Sequence, residues 1–259
     1  VIYIGSKDDA SKKPVKNWNY GIATNQTNML DGKYLHQKGY TGNNVLIGII
    51  DVGFSGVDVI NAFDSFHKND QLIATYDFVE NEEDVYDDPS HGTSVLSTIS
   101  SFKDSLMIGT APSAECILLV SEDDSQENLI EEFYYIEALE FADSCGVDII
   151  NTSLGYSYFD TPKFSHKRNE LTGDSAWITK ATNIASTKGI LMVTSAGNSG
   201  GSSWQNLTFP GDADSVLTVG AVDKNKNIAS FSSTGIPSIH YTIKPNVVAL
   251  GQQTSLMSE

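Results

Sequence analysis

Six short apolar runs punctuate the chain, at Val45–Asp51, Leu72–Phe78, Cys116–Val120, Val147–Thr152, Ile190–Ser195 and Val216–Val222. They are rich in Val, Ile and Leu and do not alternate with polar residues. That is the pattern of strands buried on both faces, as in a parallel sheet. Helical periodicities lie between them. Val95, Ile99 and Phe102 recur at spacings of four and three, as do Leu129, Phe133, Ile136 and Leu139 at four, three and three. Ile178, Ala181 and Ala185 form a third such stripe, ahead of Gly189, a helix stop. Strands alternating with helices predict right-handed crossovers, hence a three-layer αβα domain around a doubly wound, mostly parallel sheet. Val1–Ile4 reads as a short strand and Lys7–Lys16 as a polar linker. The organisation expected is an N-terminal extension over residues 1–20 and a single α/β domain over 21–259, without internal repeats or low-complexity tracts.

A chain of 259 residues can bury one large core. Its formal net charge of −17 argues against nucleic acid as a partner, because phosphate is repelled; it reads first as a solvated acidic surface, with attraction of basic peptides as the alternative. No apolar run approaches the ~18 residues needed to span a bilayer, so no membrane span is expected. Val1–Gly5 lacks a basic segment and a long apolar stretch, so it does not read as a signal peptide. Cys116 and Cys145 make no disulfide framework and are expected to be small buried residues. The acidic stretches Asn81–Asp88 and Glu122–Glu132 lie inside the alternating pattern and are not tails.

Chemistry concentrates at the ends of three predicted strands, where a doubly wound sheet binds its ligands. Asp51 ends the run VLIGII, and its carboxylate can either orient a histidine or cap the following turn. His91 opens a predicted helix in the string HGTSV, where Gly92 permits close backbone packing beside the ring. Asn198 sits in the glycine turn SAGNSG, placed to donate its amide to a developing oxyanion or simply to form a turn. Asn151–Gly155 (NTSLG) ends another strand, and its backbone can pair with an extended peptide. The remaining histidines lack such a context: His36 and His67 read as structural or incidental, His166 and His240 as surface-loop residues.

Taken together, IIDVGF, HGTSV, NTSLG, SAGNSG, FPGDADSVLTVGAVD, ASFSSTG and KPNVVALG resemble the subtilase (subtilisin-like serine peptidase) family from about Gly39 to Gly251. The stretch Tyr20–Tyr40 and GVDIINTSLGY are similar to a group of secreted bacterial members in which a propeptide precedes the catalytic domain. The resemblance implies a serine endopeptidase acting by Asp-His-Ser acyl transfer, with Asp51 as triad acid, His91 as general base and Asn198 as oxyanion donor. It implies that Ser153, Leu154 and Gly155 bind substrate and wall the primary specificity pocket, and that the region Asp123–Glu127 supplies the opposite substrate strand. It further implies a peptide or protein substrate, the chain's own propeptide as a partner, residues 1–20 as a propeptide junction, and a secreted or periplasmic location. No metal ligands and no cofactor are implied by the motifs. Calcium, which many members use, remains an option for the acidic loops, although no spacing matches a defined calcium loop.

The family's Gly-Thr-Ser nucleophile motif does not occur before Glu259. The expectation is that the chain is a fragment whose serine follows in the parent sequence, and that as it stands it does not cleave peptides. Ser94 is expected on the wrong face of its helix to act as nucleophile, and Ser232 and Ser233 are expected to be structural. Two other readings compete. One is a subtilase-like module that captures extended peptides without cleaving them. The other is a nucleotide-binding protein, disfavoured because no strand is followed by a dinucleotide or P-loop fingerprint.

Overall fold

The structure, a computed structural model, describes residues 18–87, 89–236 and 243–258. Most of the extension expected over 1–20, and His240, lie outside them. Two short helices, α1 (Thr24–Met29) and α2 (Gly32–Gln37), lead into β1 (Leu46–Asp51). There follow α3 (Asp64–Lys68), β2 (Leu72–Asp77), α4 (His91–Ser100), and a small antiparallel hairpin of β3 (Phe102–Lys103) and β4 (Met107–Ile108). The rest of the domain comprises β5 (Glu115–Val120), α5 (Ile130–Cys145), β6 (Ile149–Thr152), α6 (Trp177–Thr187), β7 (Leu191–Ser195), β8 (Leu217–Val222) and β9 (Val247–Leu250).

Seven strands form one sheet in the order β2-β5-β1-β6-β7-β8-β9, and every pairing in it is parallel. The six predicted runs are six of these strands. From β1 the chain runs out to the edge at β2, returns beside β1 as β5, then crosses to the other flank of β1 as β6. The direction of winding therefore reverses at β1, and such a reversal opens a crevice at the carboxyl ends of the strands. Registers of Asp51 with Val120 and Ile50 with Thr152 bring the ends of β5, β1 and β6 to one edge.

The predicted burial on both faces is realised most fully in β5. Ile117 and Leu119 join the core beneath α5 and α6, together with Ile50, Tyr135, Ile150, Ile178 and Met192. Cys116, Leu118 and Val120 point to the opposite face, where Ile49, Phe54, Phe66 and Leu96 fill the core beneath α4. Each fully buried Leu, Ile or Phe contributes roughly 1.5–3 kcal/mol, so the strand cannot shift by one residue without exchanging two apolar sets. Tyr135 ties the layers with its hydroxyl, which lies 2.9 Å from Thr152 Oγ1 and 3.3 Å from Thr182 Oγ1. Both cysteines are free; Cys116 is buried as expected, whereas Cys145, at the last turn of α5, is only half-buried. Among the described residues no helix is long and apolar enough to cross a membrane.

Three periodicity readings change. Phe102 does not continue the α4 stripe: Ser101 is extended, and Phe102 enters the hairpin, where its ring meets Trp18 edge-on at 5.0 Å. Phe133 is 43% exposed, because the inward face of α5 carries Glu131, Glu132, Tyr135, Ala138, Leu139 and Ala142. Two buried carboxylates thus occupy the first turn of α5, each with partners that a hydrophobic count does not register. The edge strand β9 escaped the apolar-run pattern because it is brief, and Val247 and Val248 stay exposed.

Helix α4 can press its first turn against the loop after β1 because position 92 has no side chain. A Cβ on Gly92 would stand 2.5 Å from the Gly53 carbonyl oxygen and 2.7 Å from the Phe54 ring. Gly92→Ala is therefore expected to destabilise the fold by about 1–3 kcal/mol through overpacking. Urea unfolding checks this, and an unchanged midpoint would refute it.

Candidate active site

Asp51 ends β1 at the crevice and is 1% exposed. His91 is the first residue of α4, and its Nδ1–H donates to Asp51 Oδ1 at 2.6 Å. The same oxygen accepts from the Val52 N–H at 2.9 Å, while Oδ2 is enclosed and has no hydrogen-bond partner among the described residues. Burial raises the Asp51 carboxyl, and the bond to His91 offsets part of that rise. Reciprocally, the hydrogen bond from Asp51 raises His91 above the ordinary imidazole value, against a smaller opposing effect of burial. With Nδ1 donating to the carboxylate, the neutral imidazole carries its lone pair on Nε2, the tautomer a general base requires. The rest of the first turn is anchored by Thr93, whose hydroxyl donates to the Ser55 carbonyl at 2.6 Å.

Asn198 follows β7 on a braced turn. Gly197 has φ +97°, a left-handed conformation, and a Cβ there would lie 2.6 Å from Thr208 Oγ1. The Gly197 carbonyl accepts from the Ser233 N–H at 3.0 Å, and Ser233 Oγ accepts from the Ser199 N–H at 2.9 Å. Ser233 is buried, and Ser232 Oγ accepts from the Ala221 N–H, so both serines hold the loop frame. Asn198 itself is exposed and lines, with His91, a cavity of about 630 Å³. Among the described residues its amide has no hydrogen-bond partner. Apolar side chains, among them Val95, Ile108, Val219, Ala221 and Leu250, also line the cavity.

The residues expected to bind substrate separate. Ser153 borders this cavity and accepts a hydrogen bond from Asn151 Nδ2 at 2.9 Å. The Leu154 side chain turns into the core beneath α5, 7% exposed. Gly155 packs on Thr208 and Phe209 so closely that a Cβ would lie 2.4 Å from Thr208 Oγ1. Ser94, expected on the wrong face of its helix to act as nucleophile, lines the same cavity as His91. Residues three apart on a helix share a face. No hydrogen bond joins Ser94 to His91 among the described residues.

A second cavity, of about 550 Å³, opens on the other side of His91 and Ser153. Its lining includes Asp51 and the Glu122–Glu127 segment, which adopts an irregular loop. Sequence reasoning also missed a buried pair behind it. His166, read as a surface residue, is 10% exposed at its side chain and donates Nε2–H to Glu132 Oε1 at 2.6 Å. Its ring lies tilted by 37° against Phe209 with centroids 4.2 Å apart, and Glu132 also accepts from the Ile178 N–H. The only sequence signal was the unusual Glu132 in a helix that otherwise packs on the sheet. His36 and His67 are structural. His36 donates to the Thr110 carbonyl and accepts from the Tyr20 hydroxyl, and His67 donates to the Val57 carbonyl.

Comparison with known proteins gives a consistent result. The model of the subtilase family matches residues 42–259. Subtilisin DY of Bacillus licheniformis is 33% identical over 218 residues, 83% of this chain and 68% of that protein. Subtilisin E of Bacillus subtilis (strain 168) is 32% identical over 219 residues, 83% of this chain but 49% of that protein. The chain thus spans between half and about two thirds of these relatives. Among solved structures, the prenylagaramide maturation protease PagA superposes with a TM-score of 0.62 at 22% identity, covering 85% of this chain and 68% of that one. MycP1 with its N-terminal propeptide removed superposes with a TM-score of 0.65 at 22% identity, covering 90% and 71%. These two share the fold.

The pairing of Asp51 with His91 is open to direct measurement. An imidazolium held by a buried carboxylate keeps its proton to higher pH, so the His91 ring signals in an NMR titration should move with a midpoint above the ordinary 6.5. In Asp51→Asn the midpoint should fall below that of the wild type. Equal midpoints in the two proteins would show that the carboxylate does not govern the ring.

Proposed function

The chain belongs to the subtilase family, and on that premise we propose that the protein it comes from is a subtilisin-like serine endopeptidase. The 2.6 Å bond between His91 Nδ1 and Asp51 Oδ1, at the crevice where the winding of the sheet reverses, carries the proposal. In this reading Asp51 fixes the ring tautomer and stabilises the imidazolium, and His91 Nε2 is the general base. Asn198, on its braced glycine turn, donates to the oxyanion. The chain spans only part of its relatives' length, and the attacking hydroxyl is assigned to a serine of the full-length protein.

The chemistry then runs in two halves. Nε2 takes the serine proton as the oxygen bonds to the substrate carbonyl carbon, and the carbonyl π electrons move onto its oxygen, towards Asn198. The intermediate collapses as the C–N bond breaks, and the imidazolium returns the proton to the leaving amine. Water, deprotonated by the same nitrogen, releases the acid and restores the serine. Since the base must be neutral, turnover rises with pH through the elevated His91 midpoint. An extended peptide pairs with the backbone at the end of β6, around Ser153–Gly155. Export from the cell and a propeptide partner accompany this reading, and the acidic surface, at −17, is consistent with attracting basic segments.

Full-length protein should be labelled at a serine by a fluorophosphonate probe, and His91→Ala should abolish the labelling. Asn198→Ala should lower kcat by about 10²–10³ with little change in KM, a scale set on subtilisin itself for loss of one oxyanion donor. Labelling that survives His91→Ala, or a full-length protein that binds peptide and takes no probe, would replace the peptidase with a peptide-capturing module.

A further inference from the structure

Apart from Asp51 and His91 at its edge, the acid-lined cavity supplies no group to the acyl-transfer steps. Six carboxylates, from Glu122, Asp123, Asp124, Glu127, Glu131 and Asp160, line it together with Asp51, and no Lys or Arg does. Several of these groups are engaged in building the loop. Glu131 accepts from the Asp123 and Asn128 N–H groups at 3.0 and 2.7 Å, Asp160 accepts from the Glu127 N–H at 3.1 Å, and Asp123 is capped by Ser125 and Gln126. Glu122 is different. Its Oε1 is enclosed and has no hydrogen-bond partner, and although the Tyr156 hydroxyl is near enough to act on it, that hydroxyl too lacks hydrogen-bond geometry to any described group. A carboxylate that lines a cavity, and to which the fold offers only a poorly aligned hydroxyl, can take a further donor from a ligand.

We propose that this cavity is a subsite for a Lys or Arg side chain of the peptide lying in the cleft, with Glu122 and Glu127 as its counter-charges. The inference rests on the peptide-cleft reading above and names the chemistry of the substrate that cleft takes. Three observations favour an organic cation on a peptide. His91 and Ser153 border both cavities, so an extended chain along the end of β6 reaches the acidic pocket without leaving the site. At about 550 Å³, the pocket lies in the range that holds a long side chain with its solvent. Among the described residues no group of three or more His, Cys, Asp or Glu side chains is placed to hold a metal ion, and the carboxylates lining the cavity have no Lys or Arg among them.

The charges act on one another. Burial, then Glu131, Glu127 and Asp51, push Glu122 up to about 8, and burial, then Glu131 and Asp160, push Glu127 up to about 7. His91 on α4 faces the same group, and Glu122 adds to the rise of its imidazole. An incoming guanidinium or ammonium relieves this repulsion and draws both glutamates into their charged form, releasing protons. Its binding therefore strengthens as pH rises from about 6 to about 8.

The test uses the full-length protein in a His91→Ala background, which holds turnover off. Short fluorescein-labelled Ala-rich peptides carrying one Arg are compared with citrulline twins, which are isosteric and uncharged, by fluorescence anisotropy. The Arg peptide should bind about tenfold more tightly near pH 8, the scale of one charge-assisted hydrogen bond. The preference should shrink towards pH 6 and in high salt, and Glu127→Gln, at an exposed position, should reduce it severalfold; Glu122→Gln should do the same provided its unfolding curve is unchanged. Equal affinities for Arg and citrulline peptides, or a preference untouched by Glu127→Gln, would overturn the proposal. So would millimolar calcium that abolishes the preference while raising the melting temperature, which would make the pocket a metal site. An Arg preference in a protein whose wild type takes no fluorophosphonate would sink the peptidase reading and leave this subsite standing.

Discussion

A carboxylate buried at the end of a central strand sets the terms for its surroundings. Asp51 is almost fully enclosed, one of its oxygens is unsatisfied, and the other is shared between a backbone N–H and His91. Left alone, such a group would favour its neutral form. The imidazole keeps the charge useful, and the charge in turn makes the imidazole more basic. That coupling needs α4 to begin within a hydrogen bond of β1. Gly92, packed on Gly53 and Phe54, lets the helix come that close, and the Thr93 hydroxyl ties it there. Fold stability and site geometry therefore meet in two adjacent residues.

The same topology explains why so much acid gathers in one place. Three strands, β5, β1 and β6, end together because the chain reverses its winding at β1. Whatever follows each strand is delivered to one edge: Val52 after β1, Glu122 after β5, Ser153 after β6. An acidic segment after β5 is thereby set beside the buried Asp51, with Glu122 partly buried there while Asp124 and Glu127 stay exposed. Burial and repulsion then push Glu122 and Glu127 far above ordinary carboxylates.

An acid in the first turn of α5 behaves differently. Glu132 is as buried as any group in the protein, yet His166 and the Ile178 N–H satisfy it from within the fold. Glu131 is likewise consumed by backbone donors of the loop it braces. Among the described residues Glu122 has only the poorly aligned Tyr156 hydroxyl beside it. Three neighbouring glutamates thus divide between holding the structure and facing the cavity, and the division follows from which of them has a well-aligned donor.

The sequence alone determined the layers and the chemistry at the strand ends. Runs such as VLIGII and CILLV are apolar without alternation, and a segment that must be buried on both faces has few places to go other than the middle of a parallel sheet. Asp51, His91 and Asn198 were legible because each lies beside a local pattern, a strand end, a helix start or a glycine turn, that fixes its backbone whatever the rest of the chain does. Tertiary structure decided what depends on distant partners. Glu132 meets a histidine 34 positions away, the Leu154 side chain turns inward while Ser153 borders the cavity, Phe133 yields the inner face of α5 to Tyr135, and Ser94 comes to line the same cavity as His91. Local periodicity records how a segment coils or extends. Which of its polar atoms finds a partner, and which is left facing a cavity, is set only when the crossovers bring separate strand ends to a common edge.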